Sequence, residues 1–359
     1  MERWKARFKV ANFLVEKPWK FSYDIRKVLY ELAPNGDDTI IDIQFDSETS
    51  KPPLLQKAMS SILVSRIMDI LTCVTGVEVE AQLLCLEPAD KHAQEVFDGM
   101  KEPQILDIKP KLTKISLPEL KKIERMWNKL YAGNVVGPMK QVIDNNLLFT
   151  MLRWYGKAKE SVFQTDKFIS LWVIFNMLYN YTWNRDNKQP EHREPNKIKH
   201  FVEKSDLLSP EECKEIITSD PNLLYKVLPE YEFLGSKEAW EEAVRTKDIK
   251  ALEEGHKKYI DFQRKELGLD PTKFLRNKYG LEFGKFYLME DWLHAMNEVL
   301  LFVYGIRNIV FHEGVTPREH VDGILFSDAE ESAFWYSIIK ILDVVDRIAI
   351  CKIFEDNQT

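Results

Sequence analysis

The chain has 359 residues, of which 45% are apolar and 30% charged, a globular composition that excludes wholesale disorder. Fourteen glycines and sixteen prolines exclude a collagen-like or linker-like chain, and a net charge of -7 excludes a protein that coats nucleic acid through bulk charge, though not a local basic site. Cys73, Cys85, Cys213 and Cys351 lie far apart without a CxxC pair, which offers no disulfide or zinc framework and fits a reducing cytoplasm.

The basic start MERWKARFKV is followed by no continuous apolar run, which predicts no secretory signal. Arg7–Val15 and Phe21–Leu32 are rich in aromatic and branched residues, and Thr39–Phe45 alternates as a half-buried strand does. The turn residues Pro34-Asn35-Gly36-Asp37 join two of these runs into an expected hairpin. After Lys51-Pro52-Pro53, the residues Leu55, Met59, Ile62, Leu63, Ile67, Ile70 and Leu71 recur at helical spacing, predicting a helix over about 54–74. Val77–Leu86 reads as another strand. Residues 1–110 therefore read as an α+β domain without a catalytic signature.

From Ser116 onward the pattern is helical, opened by the capping-box spacing Ser116-Leu117-Pro118-Glu119. Long helices are expected over about 139–160, 165–183, 286–312 and 327–354. The second is apolar nearly all round and therefore buried, and its apolar run Phe168–Trp183, interrupted by Asn176 and Asn180, falls short of the ~20 residues that span a bilayer. The fourth begins with the capping box Ser327-Asp328-Ala329-Glu330. Between the second and third lies a more polar insertion, about 184–285, with helix starts at Ser209-Pro210-Glu211-Glu212, Asp220-Pro221 and Asp270-Pro271. Its sparser apolar residues predict a helical accessory unit, with Glu253–Lys257 and Glu254–Lys258 as i to i+4 surface pairs.

One constellation carries chemistry. The run Phe302-Val303-Tyr304-Gly305-Ile306-Arg307-Asn308-Ile309-Val310-Phe311-His312-Glu313-Gly314 places an arginine, an asparagine and a histidine in an otherwise apolar helix. A buried guanidinium is costly unless an anion meets it, either a structural carboxylate or a bound phosphate. The segment IRNIVFHEG resembles the R-N-x-x-x-H signature of HEPN domains, and Asp166–Asn176 resembles the second helix of the ApeA-like HEPN branch. The resemblance covers roughly residues 139–183 and 286–354. Arg185 with His192 and Arg193 with His200 have similar spacing, but Pro190 and Pro195 lie between them, which predicts that neither pair shares a regular helix.

The resemblance implies an all-α HEPN-type bundle over 111–359 that follows the α+β domain and carries the helical insertion. It implies a metal-independent endoribonuclease in a homodimer, a toxin or antiviral effector in the cytoplasm, without cofactor or metal. RNA would be its substrate, and the N-terminal domain would receive a sensor or inhibitor partner. Arg307, Asn308 and His312 would be catalytic. The reaction is attack of a ribose 2′-hydroxyl on the adjacent phosphorus. Histidine can exchange the protons near neutral pH, and arginine can grip two phosphoryl oxygens. Five residues at about 100° each set Arg307 and His312 about 140° apart around the helix, which favours a pocket shared by two copies. Lys197, Lys199 and His200, in the basic stretch 192–200, are candidates for holding the RNA backbone.

Each residue also has a plainer reading. Arg307 could pair with Asp343 or Asp346, His312 could sit at a helix C-terminus favoured by the macrodipole, and Asn308 could bond between helices. Asn176 and Asn180 read as polar contacts of a core or interface. Glu290-Asp291-Trp292-Leu293-His294 is not HExxH, His312 and His320 lack ligand partners, and no P-loop, GxGxxG or GxSxG occurs. The rival function is a non-catalytic HEPN dimer serving interaction or regulation.

Overall fold

The computed structural model describes residues 2–10, 13–23, 28–36, 38–47, 53–76, 81–88, 113–132, 139–187, 189–220, 223, 233–313 and 328–356. Asp37, Lys51, Pro52, Val77–Glu80, Pro221, Gly314, His320 and Ser327, all used in the sequence expectations, lie outside them. The protein is mixed α+β, with an N-terminal antiparallel sheet and a mostly helical C-terminal region. The chain divides into two compact units, Met1–Glu160 with Phe354–Thr359, and Ser161–Ile353.

In the first unit, β1 (Glu2–Val10), β3 (Trp19–Tyr23), β4 (Val28–Asn35), β5 (Asp38–Ser47) and β6 (Ala81–Pro88) form an antiparallel sheet in the order β3-β4-β5-β1-β6. Short strands β2 (Phe13–Val15) and β7 (Thr113–Ile115) pair in parallel. Alternation explains the sheet. Ala6, Phe8 and Val10, Val28, Tyr30 and Leu32, and Ile41, Ile43 and Phe45 take every second position and are all buried. The expected hairpin joins β4 to β5, with Asn35 opposite Asp38 and Gly36 at φ +63°, a left-handed conformation that glycine adopts without strain. The two aromatic runs read from the sequence each divide into two strands.

Helix α1 (Pro53–Thr75) packs against β5 and β6, and the Tyr30 hydroxyl donates to the Leu63 carbonyl at 3.3 Å. Helices α2 (Leu117–Ala132) and α3 (Met139–Glu160) pack on α1. At the head of α2, the Ser116 backbone N–H and hydroxyl both donate to Glu119, each at 2.7 Å. The first unit thus takes in α2 and α3 as far as Glu160, beyond the boundary the sequence set at 110. Composition turns helical there, but periodicity does not say which core a helix joins.

The second unit contains α4 (Gln164–Asp186), α5 (Glu194–Lys204), α6 (Pro210–Thr218), α7 (Lys237–Thr246), α8 (Ile249–Lys265), a 3-10 turn (Pro271–Lys273), α9 (Leu275–Leu288), α10 (Trp292–Glu313) and α11, which runs on to Asp356 (Asp328–Asp356). Helix α4 is its axis. Phe168 meets Trp335 of α11 at 5.4 Å, Phe175 meets Phe201 of α5 at 5.3 Å, and Trp172 meets Tyr304 of α10 at 6.1 Å between ring centroids. Such ring contacts add to the stabilisation from burial alone.

Four expectations change here. The helix read from 286 is two helices. Glu290, at φ +58°, separates α9 from α10, and the Asp291 carboxylate accepts from the His294 backbone N–H at 3.4 Å. No glycine or proline marks that break. Asp270-Pro271 opens only the 3-10 turn, whose Thr272 backbone N–H donates to Asp270. The insertion is part of the compact unit, not an accessory body, because Ile198, Phe201, Ile217, Leu252 and Phe283 are fully buried and α5, α6 and α9 pack on α10. Glu253, expected to pair with Lys257, instead pairs with Lys285 of α9 at 2.9 Å. No described helix is long and apolar enough to cross a membrane.

Candidate functional site

Three helices build the surroundings of Arg307. Helix α10 carries Arg307 and Asn308 near its C-terminal end. Helix α4 presents Trp172, Asn176, Tyr179 and Asn180, whose spacing of four, three and one residues puts them on one face. Helix α5 supplies Glu194 and Lys197. Pro195 lies in its first turn, where the missing N–H costs nothing, so this proline opens a helix and leaves Arg193 as the N-cap.

The Arg307 guanidinium lies 5.9 Å from the Trp172 ring centroid and 5.1 Å from that of Phe311 one turn along. Its Nη1 donates to the Asn308 side-chain oxygen at 2.8 Å. A Glu194 oxygen stands 3.8 Å from the same nitrogen, an ion-pair distance too long for a hydrogen bond. Arg307 Nε is buried and has no acceptor. The Arg307 side chain is 21% exposed, so solvent reaches part of this fork.

Glu194 is also held from α4. The Tyr179 hydroxyl donates to its Oε1 at 3.0 Å. Burial, and after it the Glu194 carboxylate, push the Tyr179 phenol well above its ordinary value, so it stays protonated and donates. Next to this pair, Lys197 Nζ donates to Asn180 Oδ1 at 2.7 Å, and Asn180 Nδ2 donates to Asn176 Oδ1 at 2.7 Å. The two asparagines thus link Lys197 to the α4 face.

The structure brings Arg307 and Asn308 together and puts Lys197 on the neighbouring helix. The other two basic candidates face elsewhere. Lys199 is an exposed i to i+4 partner of Glu203 at 3.9 Å, and His200 Nε2 lies 3.0 Å from Asp186 with its ring edge-on to Trp183. His312 belongs to the last turn of α10, one turn beyond Asn308, and its side chain lies outside the described residues. Neither Asp343 nor Asp346 meets Arg307. Asp346 is fully buried with no hydrogen bond to either oxygen, and burial, then the Asp343 charge, push it well above the usual carboxylate range.

Glu194, Tyr179 and Trp172 were not singled out in the sequence. Glu194 had a signal, an acid just before a helix-opening proline. The two aromatics are indistinguishable from core residues by periodicity. Among the described residues no three His, Cys, Asp or Glu side chains converge on a metal-sized site. No protein-family model, curated protein or solved structure matches the chain. Chemically, the cluster is a guanidinium backed by rings, with unfilled donors and one loosely held carboxylate, which suits it to receive an anion.

Proposed function

We propose that the helical unit is a HEPN-type endoribonuclease that cleaves RNA by 2′-hydroxyl attack, acting as a homodimer in which two copies of the Arg307–His312 segment form one pocket. The observation that carries this reading is the state of Arg307. A structural arginine in a helical core is normally saturated by a carboxylate, whereas this one leaves Nε without an acceptor and holds Glu194 only at 3.8 Å. The sequence resemblance at Arg307, Asn308 and His312 supplies the reaction. One His312 takes the proton of the 2′-hydroxyl, the second His312 protonates the departing 5′-oxygen, and Arg307 neutralises the phosphorane. Asn308 orients the guanidinium through its 2.8 Å contact. Degradation of cellular RNA in this way suits a toxin or antiviral effector, with the first unit receiving a sensor or inhibitor.

Two variants test the assignment. Arg307→Lys keeps the charge and loses the fork, and His312→Ala removes the proton carrier. Each is expected to lower RNA cleavage by roughly a hundredfold or more while leaving the melting curve unchanged. Equal cleavage by wild type and both variants removes this segment from the mechanism. The Glu194 contact also favours one rival, a non-catalytic HEPN dimer in which Arg307 only braces α5 against α10. In that case Arg307→Lys lowers the melting temperature and no RNA is cut by any form.

A further inference from the structure

A second cluster, independent of the ribonuclease reading, lies in the first unit where α3 packs beside α1. There an open cleft of about 460 Å³ is lined by Asp69 of α1 and by Phe149, Arg153, Trp154, Lys157 and Glu160 of α3. The volume is in the range of small-molecule sites. Its wall carries both signs of charge, yet none of Asp69, Arg153, Lys157 and Glu160 forms an ion pair or side-chain hydrogen bond with another described residue. The cations lie on rings instead, Arg153 5.9 Å from the Phe149 centroid and Lys157 Nζ 4.5 Å from that of Trp154.

Asp69 is the least exposed of the four charges, and its position depends on a glycine. A Cβ added at Gly156 would come 2.9 Å from Asp69 Oδ1, so the missing side chain gives the carboxyl group its place against α3. Burial first, and then the Glu160 charge, push Asp69 up to about 7, with Arg153 pulling the other way. The acid thus stands between two states near neutral pH, and a cationic donor placed on it would restore the carboxylate.

The charges are also ordered along the helix. Arg153 and Lys157 lie one turn apart on α3, Asp69 faces Gly156 between them, and Glu160 follows Lys157 by three residues, so acids and bases alternate along the cleft. A polyamine would satisfy the acids and be repelled by Arg153 and Lys157. A nucleotide would satisfy the cations and leave Asp69 and Glu160 uncompensated. A molecule with one ammonium and one carboxylate satisfies both. We propose that this cleft binds a small zwitterion, a free amino acid, with its ammonium on Asp69 and Glu160, its carboxylate on Arg153 and Lys157, and its side chain against Trp154 and Phe149.

The test uses the full-length protein and the twenty natural amino acids, each at millimolar concentration, read by thermal shift and then by calorimetric titration. At least one is expected to bind. Its decarboxylated amine and its deaminated acid should each bind roughly tenfold to a hundredfold more weakly, as expected for loss of one charge-assisted contact. Asp69→Asn and Arg153→Gln should weaken binding by a similar factor, and Gly156→Ala should do so by displacing the Asp69 carboxyl group. Circular dichroism confirms that each variant is folded, and if Gly156→Ala is not, the two side-chain variants decide. Arg307→Lys should bind as wild type does, whatever its effect on RNA. Binding of none of the twenty, equal binding by Asp69→Asn, or an amine that binds as tightly as its parent amino acid overturns the proposal.

Discussion

The two units treat charge in opposite ways. On the sheet of the first, antiparallel register sets opposite charges beside one another. Arg7 faces Asp42 and donates to it from Nε and Nη2 at 2.7 and 2.8 Å, Lys5 reaches the same carboxylate at 3.3 Å, and Lys20 meets its register partner Glu31 at 2.8 Å. In the helical unit, Asp346 has both oxygens unbonded and Arg307 has an orphan Nε. A strand pair provides each charge with a neighbour through its register. Helical packing fixes no such register, so a buried polar atom left unpaired there either costs stability or marks a site. Asp69 and Glu160 extend the contrast, since these unpaired acids of the first unit lie on helices and not on the sheet.

The sharpest way to break this contrast is to remove a paired sheet charge. Burial works to raise Asp42, but the hydrogen bonds and charges of Arg7 and Lys5 prevail and hold it below the usual carboxylate range. Asp42→Ala removes the acceptor that Arg7 and Lys5 share and should cost about 2 kcal/mol in urea unfolding at pH 7. Because the folded-state pKa is lowered, that contribution is present above the unfolded-state value and is lost as pH falls through the folded one. The gap between wild type and variant should therefore close in acid. A gap that persists unchanged in acid would mean the pairing contributes little.

The opposite sign is expected at Asp346. Its folded-state pKa is raised, so the folded chain holds an extra proton, and the associated stability is complete below the unfolded-state value and lost as pH rises toward the folded one. Asp346→Asn should melt above wild type at pH 8, with the difference shrinking toward pH 4. A variant that melts lower at pH 8 would show that Asp346 has a partner that matters.

Two smaller effects refine the helical unit. The capping box at α6, in which Ser209 accepts from the Glu212 backbone N–H and Glu212 accepts from that of Ser209, should cost about 1 kcal/mol when Ser209→Ala removes it. Glu194→Gln should strengthen RNA binding only a few-fold, because a partly exposed pair at 3.8 Å contributes under about 1 kcal/mol. Weaker RNA binding by that variant would make Glu194 a support for Arg307 rather than its competitor.

These cases also show where the sequence is informative. The strands of the sheet, the β4–β5 hairpin, α1, the helix start at Ser116 and the capping box at Ser209 follow from alternation, turn residues and capping spacing, all local signals. The break at Glu290 does not, because a left-handed glutamate has no compositional mark. Nor does the allegiance of α2 and α3, which depends on surfaces distant in sequence. At the candidate site, Arg307 and Asn308 were visible as polar residues in an apolar helix. Glu194 and Tyr179 were not, since their meeting requires α4 and α5 to be packed together. Lys197 shared its basic stretch with Lys199 and His200, and only the fold separates the one that reaches α4 from the two that pair elsewhere.

In the proposed reaction Arg307 and His312 cut RNA with no metal, because the nucleophile is already in the substrate. The most direct measurement is digestion of a defined single-stranded RNA by the purified protein in excess EDTA, with the product ends identified by mass spectrometry. Cleavage is expected to continue in EDTA, with products ending in 2′,3′-cyclic phosphate and no such products from His312→Ala. Cleavage abolished by EDTA and restored by magnesium, or products ending in 3′-hydroxyl, would contradict it.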